Sequence, residues 1–255
     1  MTTTHGSRLH PARLRELLDP TIRKALDRLH VRSGQRVLEI GAGTGEITAR
    51  LARDVGLLGT VAAVDKDISY LDPTSVIDVY HRDLDVDALP GEPDSFDFVV
   101  ARWLHGPLRY PTKVLEQLIN RLRPGGWLIL ADVTSATPRI FRATADDTRL
   151  IHTVTRGLYH AIAGADGGAT WTAGIDNRLL GAGMVQVCTH TCTETWTGGG
   201  PGCELLATVV EGLRPFLISP DVTDADLDHF VDLMADPAVV LGSYQCRAVH
   251  ARKAG

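Results

Sequence analysis

The chain has 255 residues, 44% of them hydrophobic, and a formal net charge of −5, enough for one good core or a core with a small cap. That acidic balance argues against a nucleic-acid binder, which would carry a basic surface. Met1 to Ser7 is polar and no apolar run approaches bilayer length, while Cys188, Cys192, Cys203 and Cys246 all fall in the last third, so a reduced, cytoplasmic protein without a membrane partner is expected.

After a loose polar start, His10 to Leu29 has helical spacing (Leu14, Leu17, Leu18, Ile22, Ala25, Leu26, Leu29), broken at Asp19-Pro20, where Asp19 is expected to cap a second helix. The apolar run Val37-Leu38-Glu39-Ile40 then enters Gly41-Ala42-Gly43-Thr44-Gly45, and Ile47, Leu51 and Ala52 continue as a helix to about Val55. That is a strand, a tight glycine turn and a helix, the front of a nucleotide-binding α/β unit. Glu39 ends the strand, and a carboxylate there repels a diphosphate. The dinucleotide fingerprint also fails on spacing, because Glu46 stands where a third small residue belongs, and no lysine follows the loop until Lys66. A cationic, phosphate-free ligand fits these residues better.

Glu39-x-Gly41-x-Gly43-x-Gly45 after an apolar strand resembles the first motif of the class I methyltransferases that use S-adenosylmethionine. The resemblance implies a Rossmann-like, doubly wound, mostly parallel seven-stranded sheet with helices on both faces, an antiparallel last strand and a helical lid. Val61 to Val64 reads as a second strand ending at Asp65, 20 residues after Gly45, where such a unit places the acid that accepts the ribose hydroxyls. Lys66 follows it, and Pro73 leaves room for only a brief second crossover helix before the third strand, Val76 to His81. By the same resemblance Asp83 receives the adenine amino group and Leu84 flanks the ring.

Phe96 to Ala101 reads as a fourth strand running into Arg102-Trp103-Leu104-His105, with Arg102 near the cofactor's carboxylate or the loop itself. A helix with Val114, Leu115, Leu118, Ile119 and Leu122 closes at Pro124-Gly125-Gly126 before the fifth strand, Trp127 to Asp132. Phe96-Asp97, the Arg102–His105 segment and Leu122 to Trp127 resemble the bacterial, actinobacterial-type small-molecule subgroup. The loop after the fourth strand lacks the Asn/Asp-Pro-Pro-Tyr/Phe signature of enzymes that methylate nucleobase amino groups.

Beyond Asp132, Arg139 to Ala163 has the spacing of one long helix, read as a substrate lid carrying His152, Tyr159 and His160, with Trp171 after the following loop. A helix ending at Gly181, a sixth strand (Met184 to Cys192), a Thr/Gly-rich loop around Trp196, helices Glu204–Leu217 and Thr223–Met234, and a last strand (Tyr244 to Arg252) complete the chain. The segments expected are an N-terminal flap (1–36), a cofactor core (37–133), the lid (134–183) and the last two strands around a helical insertion (184–255), in a single domain.

The resulting expectation is a methyltransferase that acts on an oxygen or nitrogen of a small molecule, in natural-product biosynthesis. Glu39, Gly41, Ala42, Gly43, Gly45, Asp65, Lys66, Asp83, Leu84 and Arg102 would hold S-adenosylmethionine, and His105, His152 and His160 are candidate bases. The partners expected are a small-molecule acceptor and, in a homodimer, a second copy. A non-transferring cofactor binder on the same fold and a macromolecule methyltransferase are the alternatives. Cys188, His190 and Cys192 share a strand face, but with Cys203 their spacings match no compact zinc module, and no metal is expected.

Overall fold

The computed structural model describes residues 19–102, 108–135, 137–163 and 174–255. The described residues divide into two compact units, one within 15–134, 168–192 and 246–255 and the other within 135–167 and 193–245.

The larger unit is built on a seven-stranded sheet. Its strands are β1 (Arg36–Ile40), β2 (Thr60–Asp65), β3 (Ile77–His81), β4 (Phe96–Arg102), β5 (Leu122–Ser135), β7 (Met184–Cys192) and β10 (Gln245–Lys253), in the spatial order β3-β2-β1-β4-β5-β10-β7. β1 runs parallel to β2 and β4, β2 to β3 and β4 to β5, whereas β10 and β7 are antiparallel. Strand alternation gives the sheet two apolar faces. Leu38, Ile40, Val99 and Leu128 pack on one side with Val114, Leu115 and Leu118 of α3 (Pro111–Arg121) and Ile175 and Leu179 of α5 (Ile175–Gly181). Glu39 points to the other side, where it meets Thr48 of α2 (Glu46–Val55). On that side too, α1 (Asp19–Leu29) buries Ile22, Ala25 and Leu26.

The brief helix expected between β2 and β3 does not form. Asp67 Oδ1 accepts the Ser69 amide, Asp65 Oδ1 accepts the Asp67 amide, and Thr74 Oγ1 accepts those of Val76 and Ile77. These side chains take the amides that a helix would need, which is why Asp and Thr favour turns.

In the smaller unit, α4 (Ala145–Ala163), α6 (Pro201–Leu217) and α7 (Asp224–Ala235) pack on one another. They accompany a three-stranded sheet, β6-β9-β8, of Ile140–Arg142, Val240–Gly242 and Thr195–Thr197, antiparallel throughout. The single helix expected over Arg139 to Ala163 is therefore a strand followed by a helix. Thr144 makes the break: its hydroxyl accepts the Asp147 amide at 3.1 Å and donates to Asp147 Oδ2 at 2.6 Å, a cap that starts α4 there. β8 likewise occupies part of the stretch expected as loop. α7 opens with the expected Thr223 cap, in a reciprocal box with Asp226. Arg214 of α6 reaches Asp224 (2.8 Å) and Asp228 (2.9 Å) of α7.

Among the described residues no helix is long and apolar enough to cross a membrane. Leu118 is fully buried between α3 and the sheet. Leu118→Ala is expected to cost about 3 kcal/mol of unfolding free energy, read by chemical denaturation. A loss near zero would mean that α3 is not seated on the sheet.

Candidate functional site

Register brings the polar residues of the larger unit together. Glu39 lies opposite Ala63 of β2 and Val100 of β4. Two residues further along those strands stand Asp65 and Arg102, on the same face as Glu39. All three are buried.

The glycine turn between β1 and α2 holds Gly41, Gly43 and Gly45 at φ of 75°, 59° and 81°, left-handed values that a side chain resists. A Cβ on Gly45 would stand 3.0 Å from Leu71 Cδ2. Asp65 braces the turn, its Oδ2 accepting the Gly43 amide at 2.8 Å. The Ala42 carbonyl accepts from Arg102 Nη2 at 2.8 Å.

The cation that the fold sets against Glu39 is Arg102. Nη2 of the guanidinium lies 3.0 Å from Glu39 Oε1, and Nη1 pairs with Asp19 Oδ1 at the start of α1. Glu39 Oε2 accepts the Thr48 hydroxyl at 2.6 Å. Asp19, read from the sequence as a helix cap, thus turns its carboxylate to a buried arginine. Among the described residues, buried Asp19 Oδ2 and Arg102 Nε have no hydrogen-bond partner.

Two carboxylates share one guanidinium here, with Asp65 nearby. Burial pushes the Glu39 carboxyl up to about 7, against the pull of Arg102 and Thr48, and Asp19 and Asp65 add to the rise. The Asp19 carboxyl is raised as well, again chiefly by burial. In this set one acid carries its proton in part near neutrality, because burial disfavours a second negative charge beside the shared guanidinium.

Asp83 follows β3 at the rim. Lys66 Nζ donates to its Oδ2 at 2.6 Å and the Asp85 amide to its Oδ1 at 3.1 Å, and these bonds, Lys66 first, hold the Asp83 carboxyl below its usual value. Leu84 packs against the main apolar cluster. The larger unit therefore carries eight of the ten expected cofactor residues on the glycine turn and the ends of β1, β2 and β4, with Asp83 and Leu84 following β3. Thr48 and Asp19 complete the arrangement, neither of them expected at the site from the sequence. A small polar residue nine positions after Glu39, on the inner face of α2, is the signal that points to Thr48.

His105 lies outside the described residues, as does Trp171. His152 and His160 are on α4 of the smaller unit. His152 Nε2 is 3.2 Å from the Pro138 carbonyl, and His160 is exposed with its ring edge-on to the buried Tyr159.

The donors present fit S-adenosylmethionine. Buried carboxylates at Glu39 and Asp65 and a third at Asp83 suit hydroxyl, amino and cationic groups, and the turn offers backbone close approach without a lysine for phosphate. Because the folded state binds the Glu39 proton more tightly than the unfolded chain does at its ordinary 4.5, folding stability falls as pH rises from about 4.5 through about 7, by on the order of 3 kcal/mol. Denaturation at pH 5 and pH 8 should show this loss in the wild type and a much smaller one in Glu39→Gln. Equal losses in the two proteins would mean that Glu39 is ionised throughout.

A methyltransferase domain family model matches residues 12–165, more than half of the chain. The chain is 30% identical over 132 residues to the ubiquinone/menaquinone biosynthesis C-methyltransferase UbiE of Methylococcus capsulatus, covering 49% of this chain and 53% of that protein. It thus spans about half the length of the curated relatives it matches. Solved structures that share its fold include two named as methyltransferases. One is a candidate methyltransferase from Bacillus halodurans C-125 (TM-score 0.56, 16% identity, 91% of this chain and 98% of that one). The other is Haemonchus contortus phosphoethanolamine N-methyltransferase 2 in complex with S-adenosyl-L-methionine (TM-score 0.52, 16% identity, 92% and 53%). The chain belongs to the methyltransferase domain family, the class I group whose cofactor is S-adenosylmethionine.

Proposed function

We propose that this protein transfers a methyl group from S-adenosylmethionine to a small-molecule acceptor. The observation that carries the reading is the acid-lined glycine turn: Glu39, Asp65 and Asp83 at three neighbouring strand ends, beside a turn with three left-handed glycines. S-adenosylmethionine, when bound, supplies a methyl group already activated by the sulfonium, so the protein's main task is alignment, worth about 7–11 kcal/mol at best.

In this proposal Asp65 receives hydroxyl groups while its other oxygen steadies Gly43. Asp83 receives an amino group, with Leu84 against the ring beside it and Lys66 holding the carboxylate in place. Arg102 keeps the turn in position through the Ala42 carbonyl. The Glu39–Arg102–Asp19 set supplies the uncompensated negative charge that favours a cationic ligand over a diphosphate. His105, where the resemblance places a residue beside the cofactor, is the first candidate for removing a proton from the acceptor, and His152 and His160 follow it.

Oxygen or nitrogen is the acceptor atom proposed, in a small-molecule, secondary-metabolite setting, on the resemblance of the Arg102–His105 and Leu122–Trp127 segments to that subgroup. Carbon is the second reading, favoured because the relatives matched over about half their length are C-methyltransferases by name. Formation of S-adenosylhomocysteine with phenol, amine and quinol panels separates the two, and none formed with any panel would return the protein to a binding role.

Asp65→Ala and Gly43→Val should each abolish S-adenosylmethionine binding in calorimetry, the valine because it resists the left-handed backbone at that position. Wild-type affinity in both variants would overturn the site. Cation binding also favours ionised Glu39, so affinity should rise between pH 6 and pH 8 and binding should release a fraction of a proton. Calorimetry in two buffers of different ionisation enthalpy reads this directly; a flat profile with no release would remove Glu39 from the charge balance.

A further inference from the structure

On the far edge of the larger unit, β7 and β10 bring three ligand-type side chains together that the glycine turn does not use. His250 stands directly opposite Cys188 in the antiparallel register, and His190 follows two residues along β7 on the same face. One ligand atom from each of Cys188, His190 and His250 lies within 4.8 Å of the others. Cys188 Sγ is 3.6 Å from His190 Nε2, and the two imidazoles stack with centroids 5.4 Å apart. We propose that Cys188, His190 and His250 form a binding site for a zinc-class divalent ion, with a fourth coordination position open to water or an external ligand.

Bond lengths of about 2.3 Å to sulfur and 2.0–2.1 Å to nitrogen place tetrahedral ligands roughly 3.5 Å apart. The Cys188–His190 separation already meets that, and the set as a whole closes with a contraction of about 1 Å. Soft sulfur with two imidazoles selects zinc-class ions over magnesium or calcium. His250 is 8% exposed, wedged beside Trp127 at 5.7 Å between ring centroids, and its buried Nδ1 has no hydrogen-bond partner among the described residues. A buried imidazole nitrogen left in this way calls for a partner. The strand pairing is re-aimed at this point: a bulge separates the His250 and Arg252 registers, with Gln186, just before the ligands, at φ 53°. This pairing was invisible in the sequence, where the histidine of β10 lies 60 residues from that of β7.

Arg28, in the last turn of α1, opposes the ion. Its Nη1 lies 2.8 Å from His190 Nδ1, so a bound cation must displace it. On binding, the Cys188 thiol loses its proton to solvent and its sulfur donates an electron pair to the ion, with no change of oxidation state. Lys24 contacts Cys192, 3.3 Å away on the same face, which leaves Cys192 outside the set.

The test is titration of metal-stripped protein with Co2+ and then Zn2+, read by absorbance and by calorimetry. One equivalent of Co2+ should bind with a thiolate charge-transfer band, and Zn2+ should displace it. Cys188→Ser should abolish the band, and His250→Gln should weaken binding ~10-fold or more. Cys192→Ser should leave it intact, and Arg28→Ala should tighten it. Circular dichroism checks folding, and exposed Cys188 keeps the test valid if the His250 variant fails to fold. No saturable binding in the wild type, or binding that survives His250→Gln unchanged in a folded protein, would overturn the site and leave only an exposed thiol meeting metal adventitiously.

Discussion

A buried guanidinium between two carboxylates organises the cofactor end of the larger unit. Arg102 comes from β4, Glu39 from β1 and Asp19 from the first residue of α1, and the same arginine holds the Ala42 carbonyl of the glycine turn. One side chain therefore ties two strands, a helix start and the glycine turn. Such a set resists loss of any member, since a lone buried charge costs far more than a paired one. It is not fully satisfied, however. Asp19 Oδ2 and Arg102 Nε find no partner among the described residues, and an orphaned buried group costs about 1–3 kcal/mol.

The charge count gives that imperfection a direction. Two acids meet one arginine, and desolvation then forces the surplus to be carried as a proton on Glu39 near neutral pH. A protein stabilised for its own sake would gain by replacing one acid with an apolar residue. Keeping both acids leaves the end of β1 with a standing preference for positive charge and against phosphate. The rim repeats that bias with Asp65 and Asp83, where one acid is spent partly on Gly43 and the other on Lys66.

The smaller unit follows a different logic. Three helices bury their apolar stripes against one another, and three strands of three residues each pair antiparallel. Strands that short carry too few residues for a period of two to stand out from a helical pattern. Ile140 and Phe141 fit the helical spacing of Arg139 to Ala163 as well as they fit β6, and only pairing with Val240 and Leu241, about 100 residues away, makes them a strand. The helical windows, by contrast, were legible because each carries a long apolar stripe and local stops or caps, such as Thr223 before α7.

By itself the sequence determined the five strands between Val37 and Asp132, the helices after the first and fourth of them, and the run of glycines and acids that names the ligand class, while the antiparallel close by β7 and β10 was implied by the family resemblance. Those signals are local: apolar runs, glycines at alternate positions and acids at strand ends all act within a few residues of one another. Only the tertiary structure decided what each charge faces. Glu39 reads in the sequence as an acid awaiting a cation, and Asp19 as a helix cap. Parallel register places Arg102 two residues beyond the partner of Glu39, and packing of α1 brings Asp19 to its other side. Pairing between charges so far apart in the chain depends on which strands become neighbours, and no spacing along the sequence encodes that.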